Sequence, residues 1–254
     1  MSKIRAVIMD MDGVIIHGDR LIEGAQEKIR SFEERKLKYL ILTNNSTYTT
    51  RDLAARLSFM GLEVPADSLY TSALATARFL QAQNPHGSAY VVGEAGLTTA
   101  MHEVGYTLTE HDPDYVVIGE TTAYSFGRIA RAVQIVAAGT RLIATNPDPV
   151  GPGMGGMIPA TGALAALISR ASGVDAYFVG KPNPLMLRTA LRALGVHSEE
   201  TIMVGDRMDT DIIMGVESGM ETALVLTGVT RRDQVGRFPY QPSRILESIA
   251  DLEV

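Results

Sequence analysis

Ala6-Val7-Ile8-Met9-Asp10-Met11-Asp12-Gly13-Val14 decides how the rest of the chain is read. A run rich in Val and Ile favours a buried strand. Here it stops abruptly at two aspartates separated by one residue, with glycine following. Two acids so close repel when both ionise, and an aspartate at a strand exit gives up apolar burial. A hard cation such as Mg²⁺, which prefers carboxylate and carbonyl oxygens, would offset both costs. Asp-Gly is also a common turn signal, so Asp10 and Asp12 read equally as turn formers or a helix cap. The stretch alone leaves both readings open.

Working outward, a helix is expected over 24–35, with Ala25, Ile29 and Phe32 on one face. A strand over 37–42 runs into Thr43-Asn44-Asn45-Ser46-Thr47, and helices follow over 50–60 and 72–83. Expected strands at 90–93, 115–118 and 141–145 alternate with helices at 96–104 and 125–138. Residues 151–157, Gly-Pro-Gly-Met-Gly-Gly-Met, are the most loop-like segment of the chain. Beyond it come a helix at 160–171, a strand at 176–179, a helix at 185–194, a strand at 201–204, a helix at 212–218 and a strand at 222–226. The tail reads as a short helix from Ser243. Short apolar runs alternating with amphipathic helices are the signature of α/β architecture with a parallel sheet.

A length of 254 residues allows one large domain or two modest ones, and 46% hydrophobic residues are enough for a sizeable core. The net charge of −6 argues against a nucleic-acid polymer as partner. It says nothing about small anions, whose binding needs only local donors. The absence of cysteine excludes disulfides and thiolate chemistry. No apolar stretch approaches the ~20 residues that span a bilayer, and the start lacks a secretory pattern. The expectation is a soluble cytoplasmic protein without membrane partners.

In open parallel sheets, ligands bind outside the carboxyl ends of the strands. Four expected strand ends here carry polar chemistry: Asp10 and Asp12; Thr43, Asn44 and Asn45; Lys181; and Gly205-Asp206 through Asp209 and Asp211. Each alone reads as a turn, a cap or a solvated charge. Together they supply carboxylates for a metal, a hydroxyl and amides for anionic oxygens, and one cation. That inventory suits phosphoryl transfer, where catalysis is mostly positioning and charge neutralisation.

The ordered set Asp10-Met-Asp12-Gly13-Val14, Thr43-Asn44-Asn45, Lys181-Pro182 and Gly205-Asp206-Arg-Met-Asp209-Thr210-Asp211 resembles the four motifs of the haloacid dehalogenase superfamily of phosphatases. Tyr70-Thr71-Ser72-Ala73, Tyr90-Val-Val-Gly93-Glu94, Ala144-Thr145-Asn146-Pro147-Asp148 and Val179-Gly180-Lys181-Pro182 are similar to the NagD-like subfamily, which includes nitrophenyl-phosphatase-like enzymes. The resemblance covers nearly the whole chain. It implies a Rossmann-like parallel-sheet core, 1–83 plus 177–254, with an inserted α/β cap domain at 84–176 that selects the substrate.

The same resemblance implies a Mg²⁺-dependent hydrolysis of small phosphomonoesters, such as nucleoside monophosphates or sugar phosphates. Asp10 would be the nucleophile and form an aspartyl-phosphate. The metal would be held by the Asp10 carboxylate, the Asp12 backbone carbonyl and Asp206. The Asp12 side chain would serve as general acid and then base. Thr43, Asn44, Asn45 and Lys181 would bind the phosphate, Lys181 also stabilising charge. Asp211 would orient Lys181 or metal-bound water, with Asp209 nearby.

Other readings are weaker. No Gly-x-Gly-x-x-Gly joins a strand to a helix, and no P-loop motif occurs. Asp12 favours a phosphatase over a dehalogenase, because superfamily relatives that dehalogenate need no acid there. A phosphotransferase on the same scaffold stays chemically possible. A catalytically silent phosphate- or Mg²⁺-binding regulator is opposed by the intact nucleophile, acid, lysine and metal aspartate. Within the cap, Asp148, Met154, Met157, Pro159 and Glu94 are the candidate contacts to the leaving group. Met154 and Met157 read equally as core packing, and Asp148 as a turn residue. Similar proteins occur as monomers and as homodimers.

Overall fold

Ala6–Asp10 forms a strand because every one of its side chains is buried, as a central parallel strand covered on both faces requires. The computed structural model describes residues 4–153 and 156–254. Two compact units emerge from how the chain packs. The first comprises the chain up to Thr43, Arg51–Tyr70 and Lys181–Val254; the second comprises Asn44–Thr50 and Thr71–Gly180.

In the first unit the sheet runs Arg244–Leu246, Glu221–Val225, Thr201–Gly205, Ala6–Asp10, Lys38–Thr43, Leu69–Thr71. Ala6–Asp10 pairs in parallel with a strand on each side. The chain leaves it first to one neighbour and much later returns to the other, so a topological switch point falls at the carboxyl end of Ala6–Asp10. Register then decides which residues gather there. Asp10 lies level with Leu42, so Thr43 is one step beyond it. Met9 lies level with Val204, which puts Gly205 opposite Asp10 and Asp206 one step further. Val7, Met9, Ile41, Ile202, Val204, Ala223 and Val225 pack with Ile29 and Phe32 of helix Ala25–Glu34 in one core. A fully buried side chain of this size contributes roughly 1.5–3 kcal/mol.

The second unit has its own parallel sheet, ordered Tyr177–Phe178, Arg141–Ala144, Tyr115–Ile118, Ser88–Val92, Thr107–Leu108. Helix Phe126–Ala137 opens with the Ser125 hydroxyl accepting the Arg128 N–H at 3.3 Å. It lays Ile129, Ala132, Ile135 and Val136 on this sheet, at the spacing one helical face provides. Among the described residues, no helix is long and apolar enough to cross a membrane.

Two expectations are corrected. The stretch read as loop at 151–157 contributes to an antiparallel hairpin of Val150–Gly153 with Gly156–Pro159. Strand pairing is a backbone property, and Gly and Pro hide it by supplying no alternating side chains. Met154 lies outside the described residues. The tail does not form a helix from Ser243. Arg244–Leu246 instead adds an edge strand beside Glu221–Val225, and a single 3₁₀ turn, Ile249–Asp251, follows. Ser248 ends the strand by accepting the Ala250 N–H at 3.0 Å, a local cap that a helix reading of the whole tail overlooks.

Candidate active site

Three strand ends and the loop before one helix converge in the first unit. The carboxylates of Asp10, Asp206 and Asp211 each place an oxygen within 4.8 Å of the others, and all three residues are buried. Lys181 lies among them, 3% exposed, with Nζ 2.6 Å from Asp10 Oδ1 and 2.8 Å from Asp211 Oδ1. When ionised, these three carboxylates exceed the one ammonium by two negative charges, the deficit a divalent cation fills.

The local electrostatics reflect that deficit. Burial pushes the Asp10 carboxyl well above the usual range; Lys181 opposes the shift, and Asp211, Asp206 and Asp12 add to it. Burial and then Asp211 raise Asp206 to about 6, against the Val229 N–H and the charges of Lys181 and Arg207. Burial alone would lower Lys181, but Asp10 and Asp211 outweigh it and hold the ammonium above its ordinary value. Asp206 Oδ1 is buried and has no hydrogen-bond partner among the described residues. A buried carboxylate oxygen without a partner is costly. Together with an all-oxygen donor set, it fits a Mg²⁺-like hard cation.

The chain makes room for this cluster with glycine. A Cβ at Gly13, whose φ of +81° suits glycine, would fall 2.5 Å from Asp206 Oδ2. One at Gly228 would fall 1.9 Å from the same atom, and one at Gly205 would fall 2.1 Å from Asp211 Cβ. Asp211 sits on a π-helical turn, Met208–Ile212, and is fully buried there. There its Oδ2 accepts the Arg207 backbone N–H at 3.2 Å.

Sequence reasoning missed the loop Thr227-Gly228-Val229-Thr230. Its Thr227 hydroxyl donates to the Gly13 carbonyl at 2.5 Å, and the Val229 N–H donates to Asp206 Oδ2 at 2.7 Å. Thr230 N–H reaches the Asp206 carbonyl at 3.1 Å. The available signal was positional: like the other site loops, it follows a core strand, Glu221–Val225.

The remaining expected residues fall as follows. Thr43 is buried at the end of Lys38–Thr43. Asp12 keeps a solvent-facing surface; desolvation of its carboxyl raises its pKa, opposed by Lys181, Arg56 and His17. Asp209 is exposed, bound by Arg207 Nε at 3.0 Å and Nη2 at 2.9 Å, and these bonds lower its pKa.

In the second unit, Asn44 Nδ2 donates to Asp148 Oδ2 at 2.8 Å. Asn45 Oδ1 accepts the Thr47 and Tyr48 N–H groups at 3.1 and 3.0 Å, a side-chain turn. Glu94 accepts from the Thr121 hydroxyl. Met157 and Pro159 are exposed on the hairpin. Exposure removes the core-packing reading of Met157.

Known families and proteins match this chain over most of its length. The haloacid dehalogenase-like hydrolase family matches residues 7–107, and the HAD-hydrolase-like family matches 178–252. The chain is 49% identical to a dihydroxyacetone phosphatase of Corynebacterium glutamicum (strain R), over 96% of this chain and 89% of that one. It is 43% identical to the ribonucleotide monophosphatase NagD of Escherichia coli (strain K12), over 99% of each. The solved structure of NagD from Escherichia coli K-12 superposes with a TM-score of 0.94 over 99% of each chain, at 43% identity.

Proposed function

The chain belongs to the haloacid dehalogenase-like hydrolases and is a phosphoric monoester hydrolase, and from that premise we propose that it hydrolyses small phosphomonoesters through an aspartyl-phosphate at Asp10 with Mg²⁺ as cofactor. The observation that carries this reading is the buried cluster of Asp10, Asp206 and Asp211 around Lys181, with Asp206 Oδ1 lacking a partner among the described residues. Asp10, Asp206 and the Asp12 carbonyl would hold the metal, which when bound neutralises charge between a carboxylate and an anionic phosphate.

The chain's own residues account for the steps. An Asp10 oxygen attacks phosphorus, forming the acyl-phosphate bond as the bond to the leaving oxygen breaks. Asp12 donates its proton to that oxygen, and its raised pKa favours the protonated form this step needs. The resulting Asp12 carboxylate takes a proton from water, whose oxygen attacks phosphorus and frees Asp10 and inorganic phosphate. Lys181, fixed between Asp10 and Asp211, counters charge on the nucleophile and the transferring oxygens. Thr43 and Asn44 are assigned to those oxygens, with Asn45 shaping the turn that follows. Asp211 orients Lys181.

The segment 84–176 is assigned the choice of leaving group, by resemblance to the NagD-like subfamily. The named activities of the relatives suggest dihydroxyacetone phosphate and ribonucleoside monophosphates as first substrates to try, with sugar phosphates beside them. The test is phosphate release from this panel, with Mg²⁺ and after chelation. Turnover that depends on the metal supports the reading. Metal-independent turnover refutes the assigned cofactor, and absence of turnover on every ester refutes the hydrolase reading. A preference of two orders of magnitude, about 2.7 kcal/mol in transition-state binding, would identify the leaving group.

A further inference from the structure

Within the first unit, the chain after Asp12 folds into a short hairpin that is held at both ends. At its base, Ile16 grips the two peptide groups that flank Asp12. The Ile16 N–H donates to the Met11 carbonyl at 3.0 Å, and the Ile16 carbonyl accepts the Gly13 N–H at 2.7 Å. Ile15 and Ile16 are buried in the core that also takes Leu53 and Leu57 of helix Thr50–Phe59. From there the chain runs out as Ile16–His17 and returns, antiparallel, as Arg20–Leu21. A two-stranded ribbon this short is marginal by itself. Its far end, residues 17–20, is exposed, and the hairpin borders an open cavity of about 520 Å³ whose walls include His17, Ile22, Glu23, Thr227 and Ser248. At the tip, Arg56 Nη2 on that same helix donates to the Gly18 carbonyl at 2.9 Å. Among the described residues, no other side chain from outside the hairpin bonds residues 17–20.

We infer that Arg56 is a positioning residue for Asp12, tying the hairpin tip to the helix and, through Ile16, fixing the backbone on either side of Asp12. The inference rests on the proposed role of Asp12 as the acid that protonates the leaving oxygen. Freed from Arg56, the tip swings about its base, and Ile16 carries that motion into both peptides beside Asp12. An acid must lie within ~2.6–3.2 Å of the oxygen it protonates, so a small displacement of Asp12 is felt at that step. The leaving group decides how much. An alkoxide leaves poorly unless it gains a proton as its bond to phosphorus breaks. p-Nitrophenolate is a stable anion near neutral pH and leaves without one.

The test measures kcat/KM at saturating Mg²⁺ for Arg56→Met and Arg56→Lys. The substrates are p-nitrophenyl phosphate and an alkyl ester the native enzyme turns over, dihydroxyacetone phosphate first. This ratio counts events up to departure of the leaving group, so the later attack of water does not enter. Methionine keeps an apolar stem and removes the donor, whereas lysine keeps both a donor and the charge. Arg56→Met is expected to lose about tenfold on the alkyl ester, part of the ~10²–10⁴-fold a positioned acid supplies, and less than about twofold on the aryl ester. Arg56→Lys is expected to stay within about threefold of native on both. Inorganic phosphate affinity, read by calorimetry, stays native in each variant. Hydrogen exchange over residues 16–21 quickens in Arg56→Met and is unchanged in Ala6–Asp10.

An equal loss on the two esters, a fall in phosphate affinity, or native kcat/KM on the alkyl ester would overturn the inference. The first two would make Arg56 a general structural or phosphate contact, the third an ordinary surface residue. In an Asp12→Asn background, Arg56→Met should cost the alkyl ester no more; additive losses contradict the positioning role. If Arg56→Met does not fold, Arg56→Ala is read in the same way. Absence of turnover by the native enzyme on every ester would instead refute the hydrolase reading.

Discussion

Gly228→Ala probes how tightly the loop after Glu221–Val225 grips Asp206. The added Cβ would lie 1.9 Å from Asp206 Oδ2, 2.5 Å from its Cγ and 2.6 Å from its Cβ. Asp206 is 2% exposed and backed by Gly13 on another side, so it has nowhere to retreat. Either the loop lifts or the carboxylate turns, and both break the 2.7 Å bond from the Val229 N–H. Overpacking costs about 1–3 kcal/mol, and losing a hydrogen bond to a charged acceptor costs about 1.5–3 kcal/mol. A net loss of about 3 kcal/mol lowers Tm by roughly 6–12 °C in a chain of this size. If Asp206 holds the metal as proposed, displacing it also raises the Mg²⁺ concentration for half-maximal activity, by at least the ~10–100-fold that follows loss of outer partners of a metal ligand. Thermal unfolding and Mg²⁺ titration of the initial rate read the two effects. Gly236→Ala is the control, because nothing lies within 4 Å of its Cβ position. A Gly228→Ala protein with native Tm and native Mg²⁺ dependence would refute the reasoning.

Lys181→Met leaves Asp10 and Asp211 buried without their common cation. Breaking such a pair costs about 3–5 kcal/mol when the carboxylates stay charged. Without Lys181 the folded-state pKa of Asp10 lies still further above its unfolded value, so the folded state binds more protons than the unfolded chain. The variant's stability relative to native is therefore best at low pH and lost as pH rises through that raised pKa. Tm measured from pH 5 to pH 8 checks this, and a loss independent of pH would contradict it. Asp209→Asn removes an exposed pair with Arg207, worth about 0–1 kcal/mol. Tm should move little and kcat should be unchanged; a tenfold fall in kcat would show that Asp209 reaches the phosphoryl site.

That these polar residues gather in a candidate site was legible because they sit where sequence patterns end. A parallel strand buried on both faces must read as a continuous apolar run, so Asp10, Thr43 and Asp206 stand out as polar stops. Register does the rest, since pairing Asp10 with Leu42 and Met9 with Val204 aligns the stops at one edge. Thr227 to Thr230 was not legible. These residues act through a hydroxyl, backbone N–H groups and the absence of a Cβ, none of which marks a sequence as chemical. The partner of Asp148 was hidden for another reason. Asn44 lies 104 residues away, and a turn motif says nothing about which distant amide its carboxylate will accept. The hairpin at Val150–Gly153 and Gly156–Pro159 was masked by its glycines, which pair through the backbone and leave no alternation to read.

The central claim is that Asp10 takes the phosphoryl group covalently before water does. The stereochemical course at phosphorus tests this most directly, using a substrate made chiral there with oxygen isotopes and sulfur, and water as acceptor. Two successive in-line displacements, first by Asp10 and then by water, each invert the centre. Net retention of configuration in the phosphate released is the expected result. Net inversion would mean a single direct attack by water and would contradict it.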